Sequence, residues 1–423
     1  MQLFMHQEIT DLNTLHDAFR TSMKGSAWKE GPQRFEMDWL SEIVKIKREV
    51  ETRTYETQAG SEFLLNERGR VRRIHGVAMR DRVLRHALCD GELEDKLAPY
   101  LHYNNSASQK GKGLSFAREA FARDLHNYWL EHRTNEGYVA FIDLSKFYDN
   151  IRHDKIRETM YPHISPTARW VMDRILEHFR VDVSYLSDEA YATCLDRKHD
   201  SVAYYAETTE AMRTGEKWMS KGVDIGDQAS QNIGVFFPTP MDNYASAVRG
   251  CRRYGRYTDD IAIVHHDKRE LRDIVEGVCR VADALGLYIN AKKTRIVKLS
   301  QTYKYLQIKY TLTDTGRVIK RINPKNVTRE RRRLKAYKRQ LDAGRITYED
   351  VEQSAKSWMG TYAKLMSKDQ IRHMKALYKA LFGKELIWKS KSHSAAEKPS
   401  QPKKTENPLS RSRNRVSRRS LDW

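Results

Sequence analysis

Apolar positions along the chain follow two periods, and the changeover between them marks out its elements. Tyr138-Val139-Ala140-Phe141-Ile142 is an apolar run that stops at a single acid, Asp143, and predicts a strand. The segments 252–257 and 261–265 are rich in aromatic and β-branched residues and predict two paired strands, with Asp259 and Asp260 in the connection. An earlier hairpin is predicted over 63–74, turning at Arg68-Gly69, followed by a helix over 81–88. Leu271, Ile274, Val275, Val278, Val281, Ala282 and Leu285 recur at helical spacing, and Gly286 follows as a stop. Between these, 221–237 reads as a glycine turn leading into a helix of small residues. In 303–310 aromatic and basic residues alternate. That pattern fits rings presented on one face with charges along the strand, and equally an amphipathic strand with one buried face. From about Asn323 the chain turns helical and basic, with helices predicted over 326–343, 347–366 and 367–382, and Gly383 ending the last. After Lys389 the periodicity is lost. Ser, Pro, Lys and Arg dominate there, and such a segment cannot bury enough apolar surface to fold alone, so a disordered basic tail is expected. Residues 181–219 match no interpretable motif.

Charge narrows the partner. The 423 residues carry a formal net charge of +20, which points to a polyanion, because each phosphate neutralised by Lys or Arg releases counterions. Nucleic acid is the obvious candidate. The length allows a substantial core and two or three subdomains. No apolar run approaches 18 residues, so no membrane span is expected. Residues 1–8 lack the basic start and apolar stretch of a secretory signal. Cys89, Cys194, Cys251 and Cys279 are scattered without metal-ligand spacing and read as free thiols in a reducing cytoplasm, with no disulfide framework or zinc site.

The acids carry the candidate chemistry. A strand ending at Asp143 can lie beside the hairpin bearing Asp259 and Asp260, which collects three carboxylates at one end of a sheet. Adjacent acids in a tight turn repel, and a cation relieves the strain. Phosphoryl transfer from a nucleotide uses two divalent ions about 4 Å apart, and Mg²⁺ is best held by carboxylates with substrate phosphates completing its shell. The plainer alternative is that Asp259-Asp260 is a turn built from turn-favouring residues. Arg70, Arg72 and Arg73 crowd the early hairpin, where guanidinium groups can grip phosphate oxygens in pairs; the alternative is a solvated, charged hairpin. The loop 103–113 offers glycines and lysines suited to phosphate but lacks the Walker spacing.

With these segments in this order, the chain resembles the reverse transcriptases along most of its length. Phe141 to Ile151 is similar to their first metal-binding motif, and Tyr257-Thr258-Asp259-Asp260 to their Tyr-x-Asp-Asp box. The resemblance implies an α+β right-hand polymerase: fingers over 1–135, and a palm over 136–322 whose antiparallel sheet packs on helices. A helical thumb over 323–388 and a disordered basic tail over 389–423 would follow. It implies Asp143, Leu144, Asp259 and Asp260 as ligands of two Mg²⁺ ions, and Lys293 as the proton donor to departing pyrophosphate. Arg72 and Arg70 would hold the incoming triphosphate. Tyr148, five residues after Asp143, would select deoxynucleotides by filling the space a 2′-hydroxyl needs. Ile225, Gly226 and Gln231 would lie along the template and nascent pair. The pairing of Ile225-Gly226 with Ser230-Gln231 resembles the form found in diversity-generating retroelements, whose enzymes copy a template-repeat RNA with frequent errors opposite adenine. An apolar Ile in place of a polar Gln would forgo one hydrogen bond, about 0.5–1.5 kcal/mol of discrimination. Implied partners are template RNA, primer, RNA–DNA duplex, deoxynucleoside triphosphates and a small basic accessory protein. A group II intron, retron or phage-defence reverse transcriptase is the alternative within the family. Outside it stands a catalytically idle RNA-binding scaffold.

Overall fold

The computed structural model describes residues 8–67 and 69–388; Arg68 and the predicted basic tail lie outside the described residues. The described strands are β1 (Ser61–Glu67), β2 (Arg70–Gly76), β3 (Tyr138–Asp143), β4 (Val181–Asp182), β5 (Trp218–Met219), β6 (Tyr254–Tyr257), β7 (Asp260–His265), β8 (Arg295–Lys298), β9 (Tyr303–Tyr305), β10 (Ile308–Leu312) and β11 (Val318–Ile322). The chain divides into two compact units at Asn323–Pro324.

In the first unit a four-stranded antiparallel sheet runs in the order β6-β7-β3-β8. Its strand β3 is buried along nearly its whole length because both faces of the sheet are covered. Alternation sends Ala140 and Ile142, with Ile261 and Ile263 of β7, into one core. Leu271, Ile274, Val278 and Ala282 of the helix Lys268–Ala284 meet them there. That helix starts where the Asp267 side chain caps the Glu270 amide at 2.7 Å. It stops where Gly286 turns left-handed at φ +74°. On the other face Phe141 meets Phe121 of the helix Leu114–His132 and the rings of Tyr303 and Tyr305, with centroids 5.4 to 6.1 Å apart.

Those tyrosines decide between the two readings of 303–310. Tyr303, Tyr305 and Tyr310 are buried while Lys304 is exposed, so the β9–β10 hairpin is an amphipathic ribbon with one buried face. Its turn residues Leu306 and Gln307 both have positive φ, +42° and +71°, and the Arg118 guanidinium fastens the turn by two bonds to the Leu306 carbonyl, 2.8 and 3.0 Å.

The uninterpreted segment 181–219 forms a small module. A short β4–β5 ladder closes it around Val181, Val183, Cys194, Tyr204 and Met219. It docks on the stretch after β3: Asn150 donates to the His199 carbonyl at 3.0 Å and accepts from the His199 amide at 2.8 Å, and Ser201 donates to Asp149 at 2.9 Å.

The second unit packs the helices Pro324–Asp342, Tyr348–Tyr362 and Lys368–Phe382 around Leu334, Val351, Ala355, Met359, Met374 and Tyr378. Capping boxes at Thr347 and Ser367 start the last two, and Gly383 ends the third with φ +70°. Arg329, Arg331, Arg332, Lys335 and Arg339 stay exposed along the first of these helices. None of the described helices is long and apolar enough to cross a membrane.

Candidate active site

Strand register brings the acids together. Asp143, the last residue of β3, pairs with Asp260, the first residue of β7, and Asp260 also pairs with Tyr257 of β6. The connection is therefore shorter than the sequence pattern suggested: Thr258 and Asp259 alone make the turn, and Asp260 already belongs to the ladder. Thr258 sits at φ +56°, costly for a β-branched residue. Two bonds hold the turn in place: the Leu144 amide donates to the Asp259 carbonyl at 3.2 Å, and Arg256 donates to the Thr258 carbonyl at 3.3 Å.

Behind the turn lies a fully buried ion pair. The Arg256 guanidinium meets both oxygens of Asp242 at 2.7 and 2.8 Å and also donates to the Val235 carbonyl at 2.7 Å, while the Tyr254 hydroxyl donates to Asp242 at 2.5 Å. This network ties the acid-bearing hairpin to the helix Gln228–Phe236 and the segment after it. The sequence carried one signal for it. Arg256 is two residues from the buried Tyr254, hence on the same face of the strand, and a buried guanidinium requires a carboxylate.

The electrostatics of the three acids suit a cation. Burial raises the Asp259 carboxyl above its ordinary range, and the neighbouring Asp143 raises it further; Lys293 and Arg70 partly offset the shift. Asp260 is pushed up to about 6 by burial and by Asp259 and Asp143. Lys293 places its ammonium 2.7 and 2.9 Å from the two oxygens of Asp143, so one positive charge already stands at this edge of the sheet. Crowded, desolvated carboxylates that draw in a nearby ammonium fit divalent cations, and Asp143, Asp259 and Asp260 are the side chains that would hold them.

A cavity of about 730 Å³ opens over this edge. Arg70, Arg72, Asp143, Leu144, Tyr148, Ile225, Asp259 and Lys293 all line it, so most residues singled out in the sequence converge on one space. Asp260 pairs beside it without lining it. Gly226 is exposed at φ +105° in the turn facing Ile74, and Gln231 is exposed on the helix, a turn before Gly234; neither borders the cavity. Arg72 is paired with Glu67 at 2.8 Å, whereas the charge of Arg70 reaches Asp259. The Tyr148 ring is accommodated because residue 234 is glycine: a Cβ there would stand 2.8 Å from the Tyr148 hydroxyl oxygen. Three further lining residues were not anticipated, Ser201 and Val202 from the module 181–219, and Asn290, whose amide donates to the Asp143 carbonyl at 2.8 Å. Ser201 and Val202 had no sequence signal, because only docking of the module brings them there.

An antiparallel sheet with three acids at one edge, below a basic hairpin and a nucleotide-sized cavity, is the arrangement of a template-directed polymerase. Residues 66–310, more than half of the chain, match the family profile described as "Reverse transcriptase (RNA-dependent DNA polymerase)", and the protein belongs to that family. Among solved structures it is similar to telomerase from Candida albicans in complex with a TWJ fragment of telomeric RNA, with a TM-score of 0.45 and 11% sequence identity; the match covers 81% of this chain and 56% of that one. No curated protein matches the chain.

Proposed function

We propose that the protein is the error-prone RNA-directed DNA polymerase of a diversity-generating retroelement, adding deoxynucleotides to a primer on a template RNA in the cytoplasm with two Mg²⁺ ions. The observation that carries the finer assignment is Ile225 in the wall of the same cavity as Asp143, Asp259 and Tyr148. An apolar side chain there leaves discrimination at the nascent pair to shape alone.

On this reading the unit before Asn323 supplies fingers and palm, and the helical unit after it the thumb, whose exposed arginines face duplex phosphates. Bound divalent ions supply Lewis-acid charge neutralisation at the phosphates and a more acidic 3′-hydroxyl. Asp143, Asp259 and Asp260 would hold them, with the Leu144 carbonyl as a further oxygen donor and substrate phosphates supplying the rest. Arg70 and Arg72 pair with triphosphate oxygens, Arg72 exchanging Glu67 for the substrate. Lys293 gives its Nζ proton to the departing pyrophosphate once the triphosphate has displaced it from Asp143. Gly226 and Gln231 flank the template path, and a small basic accessory protein assists template binding.

Two outcomes follow. Tyr148→Ala removes the ring under the sugar and is expected to raise ribonucleotide incorporation relative to deoxynucleotide by about 10-fold or more, the loss of about 1.4 kcal/mol of discrimination; competition between labelled ATP and dATP measures it. Protons compete with the cation for Asp260, which is ionised above about pH 6 and protonated below. The Mg²⁺ concentration giving half-maximal extension is therefore expected to rise steeply as the pH falls from 7.5 to 5.5, and metal titrations at the two values check this.

The assignment is tested by primer extension on an RNA template, with the products sequenced. Errors concentrated opposite template adenines, and reduced by Ile225→Gln, support it. Accurate copying moves the enzyme to the intron or retron branch.

A further inference from the structure

A second group of metal-competent side chains lies next to Ile225, the residue after Asp224. His75 of β2, His178 at the end of the helix Pro166–His178, and Asp224 in the turn before Gln228 bring one ligand atom each to within 4.8 Å of one another. It is the one such His, Cys, Asp or Glu cluster among the described residues. We infer that these three residues form a binding site for a borderline transition-metal ion of the zinc type, separate from the carboxylates at the Asp143 edge.

Four observations support it. The Nδ1 of His75 stands 3.4 Å from Oδ2 of Asp224, close to the edge of a tetrahedron with bonds of about 2.0–2.1 Å. That Oδ2 is fully buried and makes no hydrogen bond, so a desolvated acceptor faces the histidines without a partner. The other nitrogen of His75, Nε2, lies 3.4 Å from Oε1 of Glu62, the carboxylate-behind-histidine arrangement that orients a metal-bound imidazole. A cavity of about 30 Å³, bordered by His75 and Asp224 together with Arg73 and His199, opens beside the cluster and can hold a water.

The surrounding charges allow a cation. Arg73 is committed to Glu62 at 2.7 Å and Arg85 to Asp227 at 3.1 Å, so the two nearest guanidinium groups are already compensated. Two imidazoles and one carboxylate with an open fourth position select zinc-type ions over Mg²⁺, which wants an octahedron of oxygens. No cysteine takes part, which is why cysteine spacing gave no warning of the site. Bound metal would pin three elements together: the basic hairpin two residues from Arg73, the end of the helix Pro166–His178, and the turn whose next residue is Ile225. It would set the wall of the nucleotide cavity without touching the reacting atoms.

The test uses full-length protein stripped with a chelator and titrated with Co²⁺ and then Zn²⁺ in the absence of nucleotide and Mg²⁺. The expected result is one ion per chain, with the intense visible bands of tetrahedral Co²⁺ displaced by Zn²⁺. His178→Ala and Asp224→Asn should each weaken binding at least about 100-fold, and Asp259→Asn should not change it. His75→Gln, the closest in size, serves if the alanine variant fails to fold. Absence of the tetrahedral bands in the unmutated protein, or unchanged affinity in the folded histidine and Asp224 variants, overturns the site. Because the readout is metal binding, it is independent of whether the protein copies RNA.

Discussion

Asp259→Asn is expected to lower deoxynucleotide addition by at least about 10³-fold, because several kcal/mol of charge stabilisation disappear with a bridging carboxylate and each 1.36 kcal/mol is a factor of ten. Binding of a primer–template duplex should persist, since Asn keeps the shape of the turn and the exposed basic residues from Arg329 to Arg339 are untouched. The same substitution should also raise the melting temperature of metal-free protein. Asp259 and Asp260 both have carboxyl groups raised above their ordinary range, so the folded state disfavours their ionised forms. Such groups weaken the fold as pH climbs past their unfolded values through their folded ones, so the penalty grows toward neutral pH. Removing one charge relieves it. Loss of synthesis together with gained thermal stability marks a site strained for cation binding, whereas a structural acid would lose stability on substitution. Thermal melts and extension assays on the same preparation separate the two.

The second large effect is on stability. Asp242→Ala strips the buried Arg256 guanidinium of its one carboxylate partner among the described residues and is expected to destabilise the protein by about 3–5 kcal/mol, with extension lost as the hairpin loosens. Desolvating a lone guanidinium outweighs what the remaining carbonyl contacts at Val235, Gly234 and Thr258 return. Removing both charges, as in Asp242→Leu with Arg256→Met, should recover much of the stability, because a buried ion pair contributes little over apolar side chains of similar volume. A double mutant as unstable as Asp242→Ala alone would show that the hydrogen bonds to the backbone, rather than the unpaired charge, dominate. Urea unfolding of these two variants beside the wild-type protein decides this.

What could be read from the sequence was whatever local pattern controls. Tyr138 to Asp143 is a strand with the predicted bounds, because an unbroken apolar run can be satisfied only by burial on both faces. The helix Lys268–Ala284 and its glycine stop were equally plain, as were the three helices after Asn323. Asp260 was misplaced by one residue, because a two-residue turn and a three-residue turn differ in ladder pairing and not in composition. Gln231 lies on the helix that the glycine turn predicts, exposed, with Gly234 one turn on packed against Tyr148. The module 181–219 was opaque for a different reason. It has a small core of its own, and its contribution to the cavity, Ser201 and Val202, depends on a docking held by Asn150, Asp149 and His199, contacts about 50 residues apart in the chain. The buried Arg256–Asp242 pair and the His75–His178–Asp224 cluster are likewise long-range, and no single stretch records both sides of either.

The most direct test of the central reading is single-nucleotide addition by purified, duplex-binding protein on a primed RNA template with Mg²⁺, comparing the wild-type chain with Asp143→Asn and Asp259→Asn. Template-directed addition of deoxynucleotide by the wild type, absent in both variants, is the predicted result. A wild-type protein that binds the primed RNA and adds nothing, or an Asp259→Asn variant that still adds nucleotide at the wild-type rate, contradicts it.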